Sequence, residues 1–193
     1  MCWSLGNFRV VGVGDSSVDN RTYVGIDNGV TGSISILNKG WMVCYPMPVK
    51  KTKNYQKGEG GYIHRVDRHE LIDIFRSRNL IGNDVCFMVE RPMVNPGRTF
   101  ATYSALRSFE VLLTVLEEFD LKFVVVDSRE WQGYLVSRKI SGDSDDLKGQ
   151  SKEMAYLLYP DIDLSNVNDG DSVMLAHYLM LKTMALGGMA GVY

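Results

Sequence analysis

The chain has 193 residues, 45% of them hydrophobic, which is enough for one sizeable core and the length of a single domain. Its 21 basic and 23 acidic side chains leave a net charge of −2, so overall charge does not advertise a nucleic-acid binder, although acids clustered at one site would mask a local basic patch. Cys2, Cys44 and Cys86 are odd in number, widely spaced and without a C-x-x-C pair, which indicates neither a disulfide framework nor a zinc site and fits a reducing compartment.

Residues 1–22 hold no long apolar run, and Asp15 and Asp19 are out of character for a transit peptide, so they read as an N-terminal extension of a soluble, cytoplasmic protein. A domain spanning 23–186 follows, and 187–193 form a tail. Tyr23 to Asp27 reads as a strand, with Val24 and Ile26 on one face and Gly25 and Asp27 on the other. Asn28-Gly29-Val30-Thr31-Gly32 then turns the chain sharply; an ordinary hairpin explains these turn pairs as well as a ligand site does. Ser33 to Leu37 and Trp41 to Tyr45 are antiparallel strands joined through Asn38-Lys39-Gly40. A long polar loop precedes a helix that opens at Asp67-Arg68-His69-Glu70 with a capping-box look and runs to about Arg78.

Val85 to Val89 is apolar throughout, as a central parallel strand covered on both faces would be, and ends in Glu90-Arg91-Pro92. From Thr99 to Phe119, Phe100, Tyr103, Leu106, Phe109, Leu113 and Leu116 recur at helical spacing and predict an amphipathic helix with these residues on its apolar face. Phe123 to Val126 is a second parallel strand, and Ser128 caps a helix over 129–135 that includes Trp131. A short helix over 151–159 stops at Pro160, and a last helix runs from about Asp169 to Leu186, ending at Gly187-Gly188. The order predicts an α/β fold: a five-stranded mixed sheet, three antiparallel strands then two parallel, flanked by helices, with the first strand central.

That topology puts Asp27 and Glu90 at neighbouring strand ends. Two ionised carboxylates at such a distance are held most cheaply by a divalent cation of hard oxygen preference, magnesium or manganese. Asp169 and Asp171, at the start of the last helix, supply further oxygens. Capping and a favourable charge on the helix dipole explain that pair equally well, and both acids reach one site only if Asp169 lies outside the regular turn.

Taken together, four motifs resemble those of the RuvC-type Holliday-junction resolvases, RNase H-like nucleases, and among them the phage members. Gly25-Ile26-Asp27-Asn28-Gly29-Val30-Thr31-Gly32 matches the family's first acidic strand and turn, and Glu90 before Arg91-Pro92 matches its second acid. Val126, Trp131-Gln132, Lys148, Ser151 and Leu157-Leu158-Tyr159-Pro160 match the middle region, and Asp171 through Ala176-His177-Tyr178 matches the last motif. The family's other late aspartate stands three or four residues before the last one, where this chain has Asn168 and Val167, so Asp169 is its substitute or the site has three carboxylates.

The resemblance implies an RNase H-like endonuclease that resolves four-way and branched DNA with paired nicks, using two Mg2+ or Mn2+ ions. Asp27 would bridge the ions, Glu90 and Asp171 would complete their shells, and Lys148 would stabilise charge or orient the nucleophile. Two alternatives remain: an RNase H-like nuclease on branched or RNA-containing substrates without junction preference, and a junction-binding module without catalysis.

For DNA contact, Lys50, Lys51, Lys53 and Lys57, with Tyr55 and Tyr62 interleaved, lie in a stretch whose first part, from Pro46 to Gly58, has no acid. Arg91 and Arg98 flank the segment after Glu90, where the family inserts an apolar or aromatic wedge at the junction centre. Met93 and Phe100 are the candidates, Phe100 being otherwise expected in the core. Two cuts per junction require a symmetric homodimer, built on the last helix or on the helix from Thr99. His64, His69 and His177 lack metal-ligand spacing and are expected at the surface or at caps.

Overall fold

A computed structural model of the chain describes residues 20–54, 61–135 and 147–185. Seven strands and five helices follow one another among them: β1 (Thr22–Ile26), β2 (Ser33–Asn38), β3 (Trp41–Pro46), β4 (Val49–Lys53), β5 (Tyr62–Val66), α1 (Arg68–Ser77), β6 (Val85–Glu90), α2 (Thr99–Glu118), β7 (Lys122–Val126), α3 (Ser128–Leu135), α4 (Leu147–Leu158) and α5 (Asp171–Ala185). The main sheet has the order β3-β2-β1-β6-β7. β1, β2 and β3 pair antiparallel, while β6 and β7 run parallel to β1 and to each other. This is the mixed five-stranded arrangement expected from the sequence, three antiparallel strands then two parallel, with β1 in the centre.

Strand alternation sorts the core into two layers. Val24, Ile26, Ile34, Ile36, Phe87 and Val89 pack against Leu71, Ile72 and Phe75 of α1 and Leu112, Val115 and Leu116 of α2. On the other face Tyr23, Leu37, Met88 and Val126 meet Trp131 of α3, Ala155 of α4 and Val173, Met174, Leu175 and Ala176 of α5. The near-continuous apolar sequence of α5 follows from this placement, since sheet, α3 and α4 all press on it. Gly25 makes the closest approach possible: a Cβ there would lie 2.2 Å from the Ser172 carbonyl oxygen and 2.3 Å from the Ala176 nitrogen.

Three expectations about the elements are corrected. The loop between β3 and α1 contains a second, two-stranded antiparallel sheet, β4-β5; the run of lysine and threonine in β4 hides the strand signal that alternation normally gives. In α2 the N-terminal half of the predicted stripe faces outward, with Phe100, Tyr103 and Leu106 exposed; Thr102, Ser108, Leu112, Val115 and Leu116 form the buried face. Helix α4 begins at Leu147, four residues before the expected start. By contrast Asp67 caps α1 as expected, accepting from the His69 N–H at 3.0 Å.

His177 is no surface residue. It is half-buried on α5, 2.7 Å from the Tyr159 hydroxyl. Burial keeps that phenol protonated, and the direction of its hydrogen bond with Nδ1 follows the imidazole tautomer. Burial also pushes the His177 pKa down from 6.5 to about 4. Between those values the unfolded chain binds a proton that the folded chain refuses, so stability is full above about pH 6.5 and is lost as pH falls toward 4. The urea midpoint is expected to drop between pH 7 and pH 5, and His177→Gln to flatten that drop; an equal slope in the variant would discard this assignment.

Candidate metal centre and nucleic-acid interface

Asp27 follows directly on β1, and the register that pairs Ile26 with Val89 carries Asp27 alongside Glu90, the last residue of β6. Parity along both strands puts the two acids on the face covered by α5, the side to which Gly25 and Met88 also belong. The turn after Asp27 is closed by its own N–H donating to the Ser33 carbonyl at 3.0 Å and by the Gly32 N–H donating to the Gly29 carbonyl at 3.2 Å. Gly32 passes so close beneath that a Cβ would lie 2.2 Å from the Asp27 carbonyl oxygen and 3.1 Å from Oδ2. The glycines thus have separate tasks: Gly25 admits α5 and Gly32 clears the first acid.

Asp171 is the first residue of α5, and its neighbour Ser172 fixes where it sits. The buried Ser172 hydroxyl lies 2.6 Å from Ser33 Oγ and 2.7 Å from Ser35 Oγ, with Cys44 Sγ at 3.6 Å. Ser33 is also the residue that binds the Asp27 backbone, so one serine connects the first acid to the helix bearing the third. Asn168 Nδ2 donates to the Thr31 carbonyl at 3.1 Å, tying the approach to α5 onto the same turn. Sequence reading misses this serine cluster, although Ser33-x-Ser35 at period two on an otherwise apolar strand is its signal.

Asp169 lies outside the regular turn of α5, as its use beside Asp171 requires. It is buried, and its Oδ1 accepts the Asp171 N–H at 3.3 Å. Gly170 N–H donates to Ser151 Oγ at 3.2 Å, docking α4 on the start of α5. Lys148 stands one turn before Ser151 on α4, and its side chain lies outside the described residues. None of Asp27, Glu90, Asp169 and Asp171 is without a partner. Among the described residues no three His, Cys, Asp or Glu side chains form a group able to hold a metal ion as placed. The backbones of Asp27, Glu90 and Asp171 thus converge at one pole of the sheet, while their side chains do not form a closed ligand set.

The expected DNA contacts are scattered around that pole. Arg91, exposed, pairs with Asp127 at 3.3 Å, and its N–H holds the Val126 carbonyl. Arg98 is exposed at the start of α2. Met93 and Phe100 are 73% and 67% exposed, and the core placement of Phe100 is overturned. Lys50, Lys51 and Lys53 are exposed on β4, with Lys50 3.2 Å from Asp67; Lys57 and Tyr55 lie outside the described residues. Helix α2 joins the pole through Asn28, whose Nδ2 donates to the Ala105 carbonyl at 3.1 Å.

No family model and no curated protein matches the chain. Among solved structures the fold is similar to that of T. thermophilus RuvC in complex with Holliday junction substrate, with a TM-score of 0.53 and 10% identity over 84% of this chain and 96% of that one. A structure of Thermus thermophilus RuvC shares 12% identity with a TM-score of 0.47, covering 86% of this chain and 96% of that one. At 10% identity the likeness to the first establishes the fold alone.

Proposed function

We propose that the chain is a metal-dependent endonuclease that cuts four-way and branched DNA. The observation that carries this is the convergence of Asp27, Glu90 and Asp171 on the α5 side of one sheet pole, in a fold shared with a RuvC solved on its junction. Carboxylate oxygens suit magnesium or manganese, which Asp27, Glu90 and Asp171 would hold once their side chains close on the ion, with Asp169 as a fourth ligand or as the cap that orients Asp171. Bound there, the ions would supply an activated water and neutralise charge on the phosphate and the leaving oxygen. The chain's own part is positional. β1 and β6 hold two acids in register, the serine cluster seats the helix that bears the third, and Lys148, one turn before Ser151 on α4, would meet developing negative charge.

Cutting both strands of a junction requires two such sites and therefore a homodimer. The exposed Met93, Val94, Phe100, Tyr103 and Leu106 give the α2 side an apolar surface for that contact or for a wedge at the junction centre, whereas most apolar residues of α5 are covered within the chain. Purified protein with Mg2+ or Mn2+ is expected to make symmetric paired nicks in a mobile four-way junction, to cut a Y-fork, and to leave linear duplex intact. Preferential cutting of an RNA–DNA hybrid would sink the junction assignment in favour of a general RNase H-like nuclease.

A further inference from the structure

Leaving the sheet pole, the chain does not enter α1 directly but first makes the β4-β5 ribbon. The ribbon is rooted beside the acids: Met47 N–H donates to the Gly32 carbonyl at 2.9 Å, and Asp67 N–H closes the base on the Pro48 carbonyl at 2.9 Å. On one side it leans on α2, where His64, Arg65 and Val66 meet Ser104, Arg107, Ser108 and Val111. Pairing Lys51 with His64 and Lys53 with Tyr62 puts these four on one face, and Lys50 with Arg65 on the other. All six are exposed, Tyr62 by 74%.

Among the described residues the charge on this ribbon is uncompensated; the segment joining its strands, outside them, carries Glu59 and Lys57. No acid occurs in either strand, and the one at its base, Asp67, is engaged by Lys50. No ion pair among the described residues involves Lys51, Lys53 or Arg65. Three cations on a short ribbon, with no counter-charge paired to them among the described residues, repel one another, an arrangement that a polyanion relieves. Successive cations on one strand face lie about 7 Å apart, and a two-stranded ribbon is narrow enough for the major groove, about 12 Å wide. Lysine, arginine and tyrosine side chains contact phosphate oxygens without reading sequence.

We propose that the β4-β5 ribbon grips the phosphate backbone of a duplex DNA arm beyond the cut site, through Lys51, Lys53 and Arg65, independently of sequence. This rests on the reading of the pole as a DNA nuclease site, and it adds His64, Arg65 and Tyr62 to the binding surface.

The test is the salt dependence of binding to linear duplex, which needs neither a junction nor cleavage. In the full-length Lys51→Gln, Lys53→Gln, Arg65→Gln triple variant, the slope of log K against log salt should fall by nearly three, at about 0.9 for each phosphate that is no longer neutralised. A matched pair at the opposite pole, Lys39→Gln with Arg78→Gln, should keep the wild-type slope. A fall in the first protein only supports the ribbon even if no junction is cut, whereas intact junction cutting with an unchanged slope overturns it. An equal fall per charge in the control overturns it as well. So does an unchanged DNA slope with abolished binding to phosphatidylserine vesicles, which would assign the cations to a membrane surface.

Discussion

Asp27→Asn is expected to abolish junction cleavage, lowering its rate at least about a thousandfold, while junction binding persists. A loss of that size corresponds to about 4 kcal/mol of transition-state stabilisation, the order of a preorganised electrostatic group in a reaction centre. The substitution keeps shape and hydrogen-bonding capacity, so the turn closed by the Asp27 N–H on Ser33 and the clearance above Gly32 are preserved. What disappears is one negative charge beside Glu90, and with it the strongest candidate for a bridging ligand. Binding should hold or tighten, because a phosphate then meets one anion fewer. Cleavage rate under saturating magnesium and affinity by gel shift in calcium report the two quantities separately. Full activity in the variant would reject the metal centre.

How far the site is legible in the sequence depends on what kind of signal each part leaves. β1, β2, β3, β6 and β7 are readable because alternation or a continuous apolar run marks a strand in a two-layer core, and the sheet order then follows from topology. Asp27 and Glu90 are readable for the same reason: each ends a strand. The role of Gly25 is not, since a glycine inside a strand looks the same whether it serves a turn or the passage of a helix from the far end of the chain. The β4-β5 ribbon reads as loop because every residue of β4 except Thr52 is exposed, so no period-two pattern survives in its sequence. In α2, spacing identifies the helix but not the buried stripe; Phe100, Tyr103 and Leu106 are apolar without being covered in the single chain. His177 escapes a sequence reading because its partner Tyr159 lies on a separate element, a pairing that only the packing of α5 reveals.

Gly25→Ala should cost on the order of 3 kcal/mol, the upper range for overpacking a well-filled core. The added methyl would meet backbone, the Ser172 oxygen at 2.2 Å and the Ala176 nitrogen at 2.3 Å, with Leu175 Cβ at 2.9 Å, so no rotamer change relieves it. Helix α5 must move away from β1, and the interactions that seat it go with it: the Ser172 hydroxyl leaves Ser33 and Ser35, and Asp171 leaves the pole. A misplacement of about 1 Å at a reacting centre costs about a hundredfold in rate, so cleavage should fall even in the fraction that folds. For a chain of this length the melting midpoint should drop by roughly 6–12 °C. Gly82→Ala, where an added methyl meets nothing within 4 Å, is the matched control and should stay within about 0.5 kcal/mol of the wild type. Urea titrations of the three proteins decide the matter. A Gly25→Ala protein with the wild-type midpoint would mean that α5 does not lie on β1 at this closeness, and the placement of Asp171 beside Asp27 and Glu90 would fall with it.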